Sequence, residues 1–207
     1  RLARARALAQ DAGWDAMLIT PGPDLRYLAG YDAVPLERVT CLVVPTDGDP
    51  VLVVPGLERA AAEASPLASA GVPILTWAET DNPYALVASL VPTARRVGVD
   101  DHMWAVKVLR LRAAMPDVEQ EPAGLVLSTM RMRKSRDELE ALRRAAAAID
   151  AVHDQVPALL RMGRTEREVG RDIAALILEA GHVSTDFVIV ASGPNGASPH
   201  HEVSDRI

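Results

Sequence analysis

The sequence predicts an α/β protein: a layered sheet first, then an α-rich segment ending in a strand and a histidine loop. Three observations predict it. Short β-branched runs alternate with helix-patterned stretches through about residue 125. Several of those runs are continuously apolar, as in strands covered on both faces. Beyond that point, Ser135-Arg136-Asp137-Glu138 and Thr165-Glu166-Arg167-Glu168 both have capping-box spacing and each opens an amphipathic helix.

The elements follow in order. Residues 2–12 read as a helix that Gly13 can terminate, and Ala16–Thr20 as a short strand. Pro21-Gly22-Pro23-Asp24 imposes a turn, and a short segment runs from Asp24 to Gly30 and Tyr31. Val39–Pro45 and Val51–Pro55 flank Thr46-Asp47-Gly48-Asp49-Pro50, the clearest hairpin in the chain. A helix is expected over 57–69, a strand over 72–77, a helix over 84–90, a strand over 96–99 and a helix over 102–115. Pro116 and Pro122 punctuate the chain, and the domain boundary is placed between residues 122 and 134. Leu139, Leu142, Ala146, Ile149 and Val156 then recur at helical spacing, with Pro157 expected to kink or end that helix and Gly163 marking its latest stop. Val169, Ile173, Leu176 and Ile177 form one apolar face before Gly181. Phe187–Ala191 reads as a strand leading to Ser192-Gly193-Pro194-Asn195-Gly196 and then Pro199-His200-His201-Glu202.

Composition narrows the function. The 207 residues are 49% hydrophobic and 24% charged, the balance of a globular protein with a real core. The net charge is −6, and neither half is basic: residues 1–127 carry 11 basic and 16 acidic side chains, residues 128–207 carry 11 and 12. A nucleic-acid partner therefore lacks electrostatic support. No apolar stretch reaches the ~18 residues of a membrane span, and no membrane partner is expected. Cys41 is the single cysteine and lies in an apolar run, so a buried small hydrophobe in a reducing, cytoplasmic setting is the simplest reading.

Among residues able to do chemistry, His200-His201-Glu202 is the densest titratable group, beside a glycine-rich loop that would let a substrate backbone approach. The bland alternative is a solvated histidine pair. His102, His153 and His182 read as ordinary surface or core histidines, and no H-E-x-x-H or Cys/His cluster exists. Ser192 lacks the flanks of a nucleophile elbow, and its loop lacks the Lys-Ser/Thr of a phosphate-binding loop. Asp15, Asp24 and Asp32 read as turn and surface carboxylates, and Asp100-Asp101 as the N-cap of the helix that follows.

Four stretches together resemble the creatinase/prolidase (Xaa-Pro dipeptidase and aminopeptidase P) family. Asp24-Leu25-Arg26-Tyr27-Leu28-Ala29-Gly30-Tyr31 is similar to its N-x-R-Y-L-T-G-F segment, with Asp, Ala and Tyr replacing Asn, Thr and Phe. Arg131-Met132-Arg133-Lys134-Ser135-Arg136-Asp137-Glu138-Leu139 resembles R-x-x-K-S-x-x-E-L, and Gly163-Arg164-Thr165-Glu166 resembles G-x-T-E. The run from Val190 to His200 resembles V-x-S-G-x-N-x-A-x-P-H. The resemblance implies a creatinase-type N-terminal domain, a mixed sheet with helices on both faces, over residues 1–125. Residues 130–207 would then be the incomplete opening of an α+β pita-bread peptidase domain.

What the resemblance implies chemically is hydrolysis of the bond before proline by a hydroxide bridging two divalent metals, Mn, Co or Zn. His200 matches the family histidine beside the scissile bond and is the expected catalytic and substrate-binding residue. No metal ligand matches a position here: the two Asp, one His and two Glu of the family are expected after residue 207. This chain alone is therefore expected to bind no metal at the catalytic site and to lack peptidase activity. The end at Asp205-Arg206-Ile207 has no cap or turn signal and reads as a cut inside an element. A proline-containing peptide is the expected partner, and the intact protein is expected to form a homodimer. The Val169/Ile173/Ile177 face is the expected exposed apolar surface of a partly built domain. Alternatives within the resemblance are a creatinase-like hydrolase of a small C–N bond and a metal-free binding module.

Overall fold

The structure, a computed structural model, describes residues 1–207 and divides into two compact units, Arg1–Arg133 and Lys134–Ile207. The first unit is a six-stranded mixed sheet. In chain order it comprises α1 (Leu2–Asp11), β1 (Ala16–Ile19), α2 (Pro23–Ala29), β2 (Cys41–Pro45), β3 (Val51–Pro55), α3 (Arg59–Glu63), α4 (Pro66–Ser69), β4 (Ile74–Trp77), α5 (Pro83–Ser89), β5 (Arg96–Val99), α6 (Ala105–Ala114), β6 (Glu119–Pro122) and α7 (Gly124–Met132). The strand order is β4-β3-β2-β1-β5-β6. β1/β2 and β2/β3 are antiparallel, with Leu18 opposite Val43 and Leu42 opposite Leu52, and the outer pairs are parallel.

Alternation along each strand sends side chains to two cores. Met17, Ile19, Leu42, Val44, Leu52 and Val54 pack with α1, α2, α4 and α7 through Ala5, Ala9, Leu25, Leu28, Leu67, Leu127 and Met130. Ala16, Leu18, Cys41, Val43, Val53, Val97 and Val99 pack with α5 and α6 through Tyr84, Val87 and Leu111. The sheet thus has helices on both faces, as the family resemblance implies. Cys41 is buried in the second core, and burial pushes its thiol up to about 12, which makes it an inert hydrophobe.

Several expectations need correction. The helix expected over 57–69 is broken into a 3₁₀ turn (Gly56–Glu58), α3 and α4, because Pro66 cannot donate the bond that would continue α3. β6 and α7 were not anticipated: Glu119-Gln120-Glu121 lacks any apolar pattern, and its strand exists only through parallel pairing with β5. Asp100 does not cap α6, whose N-cap is Trp104. It is buried and accepts the Thr20 N–H (3.0 Å) and the His102 N–H (2.7 Å), tying the ends of β1 and β5 together. Desolvation of Asp100 raises its carboxyl above the ordinary range, against those two bonds. Asp101 accepts the Gly124 N–H at the start of α7 (2.8 Å), a helix other than the one it precedes.

Asp24 is not a surface carboxylate either: it is 3% exposed and takes a 2.7 Å ion pair from Arg131 on α7. That pair joins the Asp24–Tyr31 segment to the first residue of the Arg131–Leu139 segment. Asp15 holds the neighbouring loop by accepting the Arg95 and Arg96 N–H groups at 2.7 and 2.9 Å.

The second unit contains α8 (Arg136–His153), α9 (Val156–Leu159), α10 (Glu166–Glu179) and a 3₁₀ turn at Gly193–Ala197. Both expected capping boxes form: Ser135 with Glu138, and Thr165 with Glu168. Pro157 falls in the first turn of α9, after α8 has ended. Phe187–Ala191 is not a strand. No strand runs beside it among residues 134–207, and a strand exists only through a partner's hydrogen bonds. The exposed apolar surface also differs from expectation. Val169 is buried and Ile173 and Ile177 are half-buried, whereas Leu139, Leu142, Val183 and Phe187 are exposed. No helix is long and apolar enough to cross a membrane.

Two substitutions test the packing of the first unit. A Cβ at Gly98 would collide with the Trp14 ring, so Gly98→Ala should cost about 1–3 kcal/mol by overpacking, read as a lowered denaturation midpoint. Arg131→Met leaves the Asp24 carboxylate buried without its cation and should cost ~1–3 kcal/mol in the same measurement. An unchanged midpoint in either variant would show that the contact contributes nothing.

Candidate functional site

The second unit is organised by one carboxylate. Glu166 is the first residue of α10, directly after the N-cap Thr165, and is 2% exposed. Its Oε1 accepts the Ser192 N–H (2.6 Å), the Ser192 hydroxyl (3.1 Å) and the Asn195 amide (2.9 Å). Its Oε2 accepts the Ser204 N–H (3.1 Å) and the Ser204 hydroxyl (2.7 Å), and lies 2.7 Å from His201 Nε2. A carboxylate is acceptor-only, so the His201 Nε2 must carry the shared proton. Burial alone would raise this carboxyl. The bonds from Ser204, Ser192, His201 and Asn195 more than offset it and hold the group well below its ordinary value.

Backbone contacts complete the docking. The Glu166 and Arg167 N–H groups, which a helix start leaves without intrahelical partners, donate to Arg206 O (2.9 Å) and Ser204 O (3.0 Å). Gly170 faces the same segment: a Cβ there would lie 3.0 Å from Val203. The Gly193 backbone has φ +53° with the Arg206 guanidinium close above it, so both its left-handed conformation and its lack of a side chain are used.

The histidine pair is divided by this arrangement. His201 is half-buried against Glu166, and His200 is exposed. Both line an open cleft of about 530 Å³ with Arg167, Phe187, Ile189 and Glu202. Phe187, Val188, Ile189 and Val203 give the cleft apolar walls, and Arg167, His200, His201 and Glu202 supply its polar groups. His102, His153 and His182 are not brought to this cleft. Sequence reasoning placed Glu166 in a capping box and in the G-x-T-E resemblance, and Ser192 in the Val190–His200 resemblance, but gave neither a role in the site. The available signal was a Glu beside a capping box in the Gly163–Glu166 segment, with the Ser and Asn of the Val190–His200 segment downstream.

The residues present do not fit a dinuclear metal centre. The one group of three ligating side chains in the chain is Asp24, Asp100 and His102, in the first unit, and Asp24 already neutralises Arg131. In the second unit Glu166 spends both oxygens on protein donors.

Comparison with known proteins gives consistent results. Residues 1–133 match the Creatinase/Prolidase N-terminal domain, and residues 140–207 match Metallopeptidase family M24. The "Probable dipeptidase PepE" of Mycobacterium tuberculosis is 46% identical over 207 residues, 100% of this chain and 55% of that protein. The crystal structure of dipeptidase PepE from Mycobacterium ulcerans superposes with a TM-score of 0.93 at 46% identity, over 99% of this chain and 55% of that one. A recombinant prolidase from Thermococcus sibiricus gives a TM-score of 0.84 at 29% identity, over 100% of this chain and 57% of that one. The chain thus spans little more than half the length of these relatives. The chain belongs to the creatinase/prolidase family of M24 metallopeptidases.

Proposed function

We propose that these residues are the N-terminal part of a metal-dependent Xaa-Pro peptidase, a dipeptidase in preference to an aminopeptidase, acting on the bond before proline. The observation that carries this reading is the 46% identity to dipeptidase PepE, over the full length of this chain and so over both units. His200 is the substrate-contacting residue: its exposed imidazole at the cleft can hydrogen-bond the scissile amide or the oxygen that develops charge there. The first unit is the family's N-terminal domain, and residues from about 130 onward open the peptidase domain. Two divalent cations, Mn, Co or Zn, belong to the intact protein through ligands outside these 207 residues. The intact protein is read as a cytoplasmic homodimer.

The test is an assay of the intact protein, with each cation in turn, on Xaa-Pro dipeptides, on Xaa-Ala dipeptides, on proline-second tripeptides and on creatine. Selective hydrolysis of Xaa-Pro dipeptides is expected. Turnover of creatine in their place would establish the small-amide hydrolase, and turnover of none would overturn the peptidase reading. His200→Ala should lower kcat/KM roughly 100-fold, the scale of losing one transition-state hydrogen bond, without moving the melting temperature. Activity equal to wild type would remove His200 from the site. The 207-residue chain with added cation should hydrolyse none of these substrates.

The loop should also withstand mild acid. Glu166 titrates below its ordinary value of 4.5, so the unfolded chain takes up the proton first as pH falls. Its stabilisation is fully present above that value and is lost only as pH drops toward the folded one. Amide protection at Ser192 and Ser204 should therefore persist down to pH 4.5 and decline below it. Loss of protection near neutral pH would contradict the assignment.

A further inference from the structure

We infer that Glu166 is a positioning residue of the peptidase site: one carboxylate ties both ends of the 192–204 loop and so fixes where His200 stands. The inference rests on the peptidase reading and adds to it a residue that touches no substrate.

Apart from Glu166, α10 holds the loop through the Arg167 N–H to Ser204 O bond and the packing of Val203 on Gly170. Its internal backbone bonds are confined to the turn, Asn195 N–H to Ser192 O and Ser198 N–H to Asn195 O. From Ser198 to Ser204 the segment belongs to no helix or strand. Against that stands Glu166, with three bonds on Oε1 to the loop's start and three on Oε2 to its end. His200 lies between the two anchorages, one residue before His201. His201 is itself held through Nε2, which fixes its tautomer and leaves Nδ1 as the ring's acceptor. The Glu166 carboxylate sits at the N-terminal end of α10, where the helix field favours a negative charge.

The pattern demands a carboxylate of this length. All six partners present hydrogens to the two oxygens, so a Gln amide at position 166 would turn its own NH₂ toward three donors. An Asp would keep the charge but withdraw both oxygens by about one bond length. Neither alters the cleft wall directly, because Glu166 does not line it.

The experiment uses the intact protein as wild type, Glu166→Gln, Glu166→Asp and Ser204→Ala. In the metal-free protein, ¹⁵N NMR reads the His201 tautomer, and amide exchange reads Ser192 and Ser204. In the metal-loaded protein, kcat and KM are measured on an Xaa-Pro dipeptide. Wild type should show the Nε2–H tautomer. Glu166→Gln should lose it, exchange the two amides at least about tenfold faster, and drop kcat roughly 10–100-fold with KM little changed. Glu166→Asp and Ser204→Ala should give smaller losses of kcat in the same direction, and they carry the test if Glu166→Gln does not fold. An unaltered tautomer and exchange in Glu166→Gln would overturn the anchoring. A loosened loop with wild-type kcat would overturn the positioning role alone. A wild-type protein that hydrolyses no dipeptide while the loop responds as described would overturn the peptidase reading beneath it.

Discussion

A buried carboxylate that accepts six hydrogen bonds is the constraint on which the second unit depends. A side chain that is 2% exposed and ionised loses most of its hydration and is tolerable only if protein donors replace the water. Glu166 finds them in residues far from it in sequence: Ser192 and Asn195 at the 3₁₀ turn, and His201 and Ser204 in the segment beyond it, which belongs to no helix or strand. The requirement acts in both directions. The loop satisfies the carboxylate, and the carboxylate gives the loop a single conformation with His200 at the cleft. Polar atoms, rather than a hydrophobic core, specify this part of the fold.

The first unit reaches its structure by the opposite route. Its sheet is defined by apolar alternation feeding two helix-covered cores, and its polar contacts fasten element ends: Asp15 under the Arg95–Arg96 turn, Asp100 across the ends of β1 and β5, Asp101 at the start of α7. The ion pair between Asp24 and Arg131 reaches 107 residues along the chain to fasten α7. Asp24 and Asp100 lie close together with His102, and both are already occupied, Asp24 by Arg131 and Asp100 by the Thr20 and His102 N–H groups.

Much of this was legible in the sequence because it rests on local rules. The hairpin at Thr46–Pro50, the capping boxes at Ser135 and Thr165, and the buried role of Cys41 each follow from residues close together in the chain. What escaped was decided at a distance. β6 reads as Glu-Gln-Glu-Pro and becomes a strand only because β5 offers a parallel edge. Asp24 reads as a turn carboxylate until Arg131 closes over it. Glu166 reads as helix-start polarity, and its partners lie 26–38 residues downstream. Phe187–Ala191 was misread for the reverse reason: strand-like composition without a strand beside it. The family resemblance pointed to His200, but residue pattern alone could not tell that His201 is the member of the pair that is pinned.

The most direct measurement is the crystal structure of the intact protein with a non-hydrolysable Xaa-Pro dipeptide analogue bound. The account predicts a His200 ring nitrogen within hydrogen-bond reach of the group replacing the scissile amide, about 2.7–3.2 Å. It also predicts Glu166 unchanged beneath the loop. An analogue bound elsewhere, or a His200 ring turned to solvent more than about 5 Å away, would contradict it.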